Sequence, residues 1–580
     1  MESLAETLLA AARWVSPALA LWLLWRCVHS MLRGRSAPEI WACLESPDGA
    51  AEPVKHWESL IGRARSCDVV IPREGVERTH AALIRSDRGG WTLYDLTASG
   101  ATAAGALRDE GSGLPVHDGD TLFFGGGSRV FHDTDEAMRA ENERKRDVPG
   151  LRVSQGLTLL LLTVFQALLV LQFTAVLSGT ELRRCAGLFA ILALLQWACF
   201  FLMRALDRRG FEVETLAFFL TTLGLYVAAA CAPGDLNRQL VFLFAGLLLF
   251  LALGWWLRDL RRTKALRWPL GALALALLAL NLALGVRVNG AANWIRIGGF
   301  TMQPSEFVKA AYVYVGAASL DRLFRGRNLF GFIGFSAVCV GALALMGDFG
   351  TALIFFAAFL VISFLRSGSF ATLFLAVAGA ALAVFLILTV KPYIAQRFAA
   401  WGHVWDDPTG AGWQQTRALS AAASGGLTGV GVGRGWLHSI FAADTDLVFC
   451  LLCEELGLIV ALCAVLALLS LAVFAFQSAG RGRSSYYVIA ACASACMMLV
   501  QLSLNVFGST DILPFTGVTF PFVSRGGSSM LSCWLLLAFI KAADTRQNAS
   551  FSVPLSAKRR YAEYEEAGAE EEAEEEEAEE

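Results

Sequence analysis

The chain is short of charge. Of its 580 residues, 17% are Asp, Glu, Lys or Arg and 56% are hydrophobic, against about 25% charged in soluble domains. That shortage excludes an ordinary soluble globular protein. Nucleic-acid binding is not read from it either: the net charge of −3 is set by residues 563–580, which hold twelve Glu and no Lys or Arg, leaving 48 basic against 39 acidic residues elsewhere. The low-complexity tail, residues 547–580, cannot bury a core and reads as disordered. A disulfide framework is missing, because thirteen cysteines, odd in number and scattered mostly through apolar runs, predict free thiols. Cys450 and Cys453 have a redox spacing but fall in an apolar helical segment without βαβ context. No Walker lysine follows the glycine-rich run 424–433, which excludes a nucleotide site there. No basic residue precedes the first apolar run, residues 8–25, whereas Arg26, Arg33 and Arg35 follow it. This reads as an uncleaved anchor, residues 1–36, with its N-terminus outside.

What is present falls into blocks. Residues 39–132 alternate in short apolar stretches separated by glycine-rich turns, the pattern of a small all-β domain. A charged linker, 133–152, leads to twelve further apolar spans near 153–177, 185–206, 213–232, 240–257, 266–285, 305–320, 330–346, 351–365, 370–390, 447–476, 486–508 and 530–540. Alternating them from a cytoplasmic β domain places Arg209, Arg258, Arg327, Arg366, Arg481, Arg483 and Lys541 inside. Residues 285–304 and a loop of over fifty residues, 391–446, then face outward, and loops that long are usually functional.

Several polar groups lie at membrane depth. Glu306 and Lys309, one turn apart on the helix opened by Gln303-Pro304-Ser305, are costly enough there to be functional by default, although an ion pair that only joins helices fits as well. Ser305 reads as the cap of that helix. Trp294 and Arg296 precede it. Asp348, between glycines in Gly347-Asp348-Phe349-Gly350-Thr351, is either a site carboxylate or a helix cap. Asp446 sits where the long loop enters the bilayer. Partial desolvation would raise its pKa toward that of a general base for a hydroxyl nucleophile, and a plain helix N-cap is the alternative. Arg525, in Pro521-Phe522-Val523-Ser524-Arg525-Gly526-Gly527-Ser528, is open to two roles: holding a lipid phosphate, or neutralising a buried carboxylate.

These motifs, in order with Asp407-Pro408, Gly412-Trp413-Gln414, Ser424-Gly425-Gly426 and Glu454-Glu455-Leu456-Gly457, resemble the SEDS family of FtsW, RodA and SpoVE proteins over roughly residues 153–546. The resemblance implies a polytopic α-helical membrane protein of the SEDS fold, with about 10–12 helices plus one N-terminal anchor helix. It implies a peptidoglycan glycosyltransferase that polymerises lipid II beside a class B penicillin-binding transpeptidase. Asp446 takes the family's catalytic carboxylate, while Trp294, Glu306, Lys309 and Asp348 take its substrate-binding positions. Lys309, with Arg296 or a divalent cation (Mg2+ or Mn2+), would offset charge on the departing pyrophosphate. Three departures stand out: Asp444 replaces the family's usual His, Thr301 a frequent basic residue, and Arg525 an aromatic. Five spans before Ser305 stand where three are usual. A lipid II transporter and a non-catalytic division scaffold are the rival readings.

The β domain is similar to FHA domains, sandwiches that read phosphothreonine, through Ile61-Gly62-Arg63, Arg78-Thr79-His80, Asp95-Leu96, Ser99-Gly100 and Asp118-Gly119-Asp120-Thr121-Leu122. The resemblance makes Arg63 the phosphate ligand, with Arg78 and Ser99 beside it. Glu77 takes the place of the usual pocket Ser and Ser99 that of the usual Asn, so docking of an unphosphorylated partner is the alternative. The expected whole is a multi-pass protein of the bacterial cytoplasmic membrane, with a cytoplasmic all-β FHA-like sandwich and tail.

Overall fold

The computed structural model describes residues 2–33, 39–65, 67–86, 89–97, 113–134, 153–206, 208, 210–288, 291–297, 300–320, 326–367, 370–371, 373–379, 381 and 401–546. The acidic tail, most of the linker 133–152 and most of the span expected at 370–390 lie outside them.

The first helix, α1 (Glu2–Arg33), continues through Pro17 and packs on three later helices. A sandwich follows, with strands in the orders β2-β1-β9-β8 and β4-β3-β5-β6-β7. Its strands are β1 (Ala42–Glu45), β2 (Ala51–Val54), β3 (Glu58–Gly62), β4 (Val69–Val70), β5 (Ala81–Arg85), β6 (Trp91–Asp95), β7 (Leu114–Val116), β8 (Thr121–Phe124) and β9 (Gly127–Asp133). Alternate side chains, Leu44, Ile61, Leu83, Leu93 and Phe131 among them, bury a separate core between the two sheets.

The rest is helical: α2 (Gln155–Phe173), α3 (Gly179–Ala205), α4 (Glu212–Cys231), α5 (Leu236–Trp256), α6 (Leu260–Ala265), α7 (Arg267–Leu284), α8 (Pro304–Leu320), α9 (Gly326–Met346), α10 (Phe349–Ser367), α11 (Trp413–Gly425), α12 (Val448–Glu455), α13 (Leu458–Ala479), α14 (Ser485–Ser509) and α15 (Gly527–Ala542). Among the described residues, nine helices are long and apolar enough to cross a membrane, and two shorter ones are apolar throughout. All thirteen cysteines are free.

Three sequence expectations change. The single span read at 447–476 is two helices, α12 and α13, because Gly457 at the junction holds φ +87° and a Cβ there would lie 2.3 Å from the Leu427 carbonyl oxygen. The long outer loop contains a helix, α11. Between α7 and α8 stands a three-stranded sheet, β10 (Val286–Val288), β11 (Ala291–Ile297) and β12 (Phe300–Met302).

The sandwich is fastened to the turn between α13 and α14. Arg483 pairs with Glu39 at 2.5 Å, and its carbonyl accepts from the Trp57 N–H at 2.6 Å. Glu58 accepts from the Ser484 hydroxyl at 2.8 Å and the Ser485 N–H at 2.9 Å. A carboxylate there also favours the positive end of α14.

Candidate active site

Two apolar helices, α8 and α14, meet through polar side chains. On α8, Lys309 and Glu306 are both buried, and Lys309 Nζ donates to Glu306 Oε1 at 2.9 Å and to Gln501 Oε1 of α14 at 2.9 Å. Gln501 passes the connection on, donating to Thr519 O at 3.0 Å and Thr519 Oγ1 at 2.8 Å. Ser305, read as a cap, lies in the first turn of α8 with its hydroxyl buried and without a partner. Asp348 is buried at the start of α10, where it accepts from the Thr351 N–H at 3.1 Å and from Gln303 at 3.4 Å, with Lys309 and Glu306 within electrostatic reach. It therefore caps a helix and also faces the ion pair.

One turn along α14 from Gln501, Asn505 turns to the other carboxylate. Its Nδ2 donates to the carbonyls of Asp446 at 3.1 Å and Val518 at 2.8 Å. Asp446 is half-buried, and a Cβ on Gly517 would come within 3.2 Å of its Oδ2, so only glycine leaves that approach open. The residue in the N-cap position of α12 is Leu447, not Asp446. Gly350 brings the start of α10 onto the same segment, where a Cβ would meet Val518 at 2.5 Å. Residues i and i+4 share a helix face about 6 Å apart, so α14 ties the Lys309 pair and the Asp446 turn to one rigid element.

The loop between α11 and α12 is strapped down beneath this site. Glu454 accepts from the N–H groups of Trp436 at 2.9 Å and Leu437 at 3.0 Å, while Glu455 accepts from the Gly433 N–H at 2.7 Å and the Tyr226 hydroxyl. Arg525 lies between two carboxylates, Asp444 at 2.5 Å and Asp235 at 3.0 Å. Trp294, half-buried, and Arg296, exposed opposite Thr301, stand on β11, which leads through β12 into α8. Asp444 is engaged by Arg525, and among the described residues no three His, Cys, Asp or Glu side chains converge.

Gln501, Asn505 and Gly517 escaped sequence reasoning. The legible signal was a pair of amides spaced i, i+4 within an apolar span.

In the sandwich, the loops after β3 and before β5 are zipped together, the Arg63 N–H donating to Glu77 O at 2.9 Å and the Ala64 N–H to Arg78 O at 3.1 Å. Arg63, Arg78 and Glu77 are thus neighbours on an exposed edge. Ser99 lies outside the described residues.

With this geometry in view, comparison with known proteins is informative. The cell cycle protein model covering FtsW, RodA and SpoVE matches residues 215–549, and the FHA domain model matches residues 59–125. The peptidoglycan glycosyltransferase RodA of Mycobacterium tuberculosis is 29% identical over 324 residues, 52% of this chain and 69% of that protein. The probable peptidoglycan glycosyltransferase FtsW of Tolumonas auensis is 33% identical over 351 residues, 57% of this chain and 90% of that one. A chain from a solved peptidoglycan synthase complex is 28% identical, with 57% of this chain and 96% of that chain covered and a TM-score of 0.49.

Proposed function

Because the chain belongs to the FtsW, RodA and SpoVE family, we propose that it is a peptidoglycan glycosyltransferase, polymerising lipid II at the outer face of the bacterial cytoplasmic membrane in elongation, division or sporulation. The observation that carries this reading is the half-buried Asp446 turn, tied by one helix to the buried Lys309 and Glu306 pair. Asp446 takes the proton of an acceptor GlcNAc 4-hydroxyl as that oxygen attacks the anomeric carbon of the donor. The bond to the lipid pyrophosphate breaks with its electron pair, and configuration inverts. Lys309 has three N–H donors, two of them given to Glu306 and Gln501. The third supplies positive charge toward the leaving pyrophosphate. Trp294 and Arg296 bind the substrate at the mouth.

The partner in this reading is a class B penicillin-binding transpeptidase outside. The FHA domain, on the cytoplasmic side with the tail, regulates by binding a phosphothreonine protein. Sidedness is supported by α14: the sandwich sits at its N-terminal end and the Asp446 turn near its other end, about 30 Å away at 1.5 Å per residue.

The test is lipid II polymerisation by purified protein with its transpeptidase, wild type against Asp446→Ala at matched folding. Glycan strands from the wild type alone are expected. Lipid II crossing liposome membranes with no strands from either protein would replace polymerisation by transport. A scaffold would keep its role in Asp446→Ala and lose it when residues 39–132 are removed.

A further inference from the structure

The backbone that carries Asp446 is held with unusual completeness. The chain turns at Ala442, which holds φ +61°, and the Asp446 N–H closes the turn onto the Ala442 carbonyl at 2.9 Å. Each of the next three carbonyls is then gripped from another part of the molecule. Asp444 O accepts from the Arg525 N–H at 2.8 Å, Thr445 O from the Ser524 hydroxyl at 2.5 Å, and Asp446 O from Asn505 at 3.1 Å. The side chain of Arg525 adds a second hold: Nε reaches Asp444 at 2.5 Å and Nη1 reaches Asp235, in the turn before α5, at 3.0 Å. A helix entry as such requires none of this, since α12 begins two residues later without a side-chain cap.

We infer that Asn505, Ser524 and Arg525 are positioning residues for Asp446, and that the Asp444 to Arg525 to Asp235 bridge fixes where its carboxylate points. The guanidinium is committed to two carboxylates, so it serves the turn rather than a substrate phosphate. Asp444 and Arg525 are also two of the three places where the sequence departs from the family pattern, and they meet. Arg525→Tyr alone leaves the partly buried Asp444 without its cation, and Asp444→His alone sets a basic ring against the guanidinium; changing both removes the conflict, with Asp235 keeping Arg238 at 3.6 Å.

The inference rests on the polymerase reading, so the test carries one readout that needs no catalysis. In the full-length protein, Arg525→Tyr, Asp444→His and the double variant are compared with wild type for polymerisation kinetics and for the rate at which a carbodiimide labels Asp446, read by mass spectrometry. Each single variant is expected to lose roughly 10- to 100-fold in kcat with little change in KM, the scale of a small misplacement of a reacting group, and to change the labelling rate. The double variant returns both toward wild type. Arg525→Lys, which keeps the charge and reaches one carboxylate only, falls between and serves if Arg525→Tyr does not fold. Additive losses in the double variant, or an Arg525→Tyr defect confined to KM, overturn the inference while leaving the polymerase reading intact. Labelling restored in the double variant, with no strands made even by the wild type, upholds the positioning and sinks the polymerase reading instead.

Discussion

Lys309 lies where almost no water reaches it, and its acceptors Glu306 and Gln501 have no other source of a positive partner in the hydrogen bonds they make with it. Removing one member of such a pair costs about 3–5 kcal/mol, because the other is left buried and uncompensated, whereas removing both charges is far cheaper. Lys309→Met should therefore lower the melting temperature of the full-length protein in detergent, and Lys309→Met with Glu306→Leu should recover most of the loss. Strand synthesis should stay absent in both; its return in the double variant would reduce the pair to a tie between helices. A second prediction concerns His80 in the sandwich, whose imidazole burial pushes below the ordinary 6.5, against the opposing pull of Asp95 and Glu77. The Glu77 N–H donates to its Nδ1 at 3.2 Å, which fits the neutral ring. With the folded pKa lowered, the unfolded state takes up the proton first, so stability falls as pH drops through about 6.5 toward the folded value. A His80 titration by NMR should give a midpoint under 6.5, and His80→Gln should flatten the acid side of the sandwich's stability profile. The carboxylates and Lys309 were legible in sequence because charge at membrane depth is expensive. Asn505 was passed over, because an amide within an apolar helix carries no such cost when it finds carbonyls, and its i, i+4 spacing from Gln501 was the one mark it bore.

Hydropathy cannot see a break that backbone geometry imposes. The run from Leu447 to Phe476 is apolar apart from Glu454, Glu455 and Ser470, and a lone glycine inside it is compatible with a helix, so the two-helix arrangement stays hidden until the neighbour of Gly457 is known. That neighbour is the loop 427–429, which crosses so closely that a Cβ would also lie 2.5 Å from the Gly429 nitrogen. Gly457→Ala adds this collision to the roughly 1–3 kcal/mol cost of holding a non-glycine residue at φ +87°, ψ 163°, and should free the strap over α12. The expected outcome is faster hydrogen exchange in peptides covering residues 425–437, with exchange in α2 unchanged; equal exchange in the strap would show that the close crossing is dispensable. The sheet of β10 to β12 was missed for a different reason, its strands of three, seven and three residues being too short to display a period. The positions of α7, α9 and α14, by contrast, could be read directly, because long apolar helices between charged turns have few alternatives in a bilayer.

At the scale of the whole molecule, composition separates the sandwich from the helices, and the family match, starting inside α4, leaves α4, α5 and α7 as the membrane helices before α8 and puts α2 and α3 ahead of the shared region. The two surplus spans are thereby located. How the sandwich sits could not be read from sequence, since the pair that fixes it, Glu39 and Arg483, is 444 residues apart and follows no periodicity. The direction of the strands has a consequence for binding. β3 starts at Glu58, in the docking contact, and ends at Gly62, beside Arg63; β5 runs back from Ala81, beside His80, to Arg85 at the docking end. The Arg63 and Arg78 loops thus occupy the end of the sandwich opposite the contact, and a ligand there need not displace it. Docking should depend on Arg483, because its loss leaves Glu39 without its cation and weakens the hold on the turn that enters α14. Spin labels at Glu74→Cys and Gly480→Cys, both exposed positions, should report a narrow distance distribution in wild type, a broad one in Arg483→Ala, and a narrow one again when the charges are exchanged in Glu39→Arg with Arg483→Glu. A phosphothreonine peptide that binds the Arg63 edge should bind equally in all three, since the edge itself is untouched. Affinity that falls with Arg483→Ala would mean that the sandwich needs its seat on α14 to hold the pocket in shape, and that the two ends are not independent.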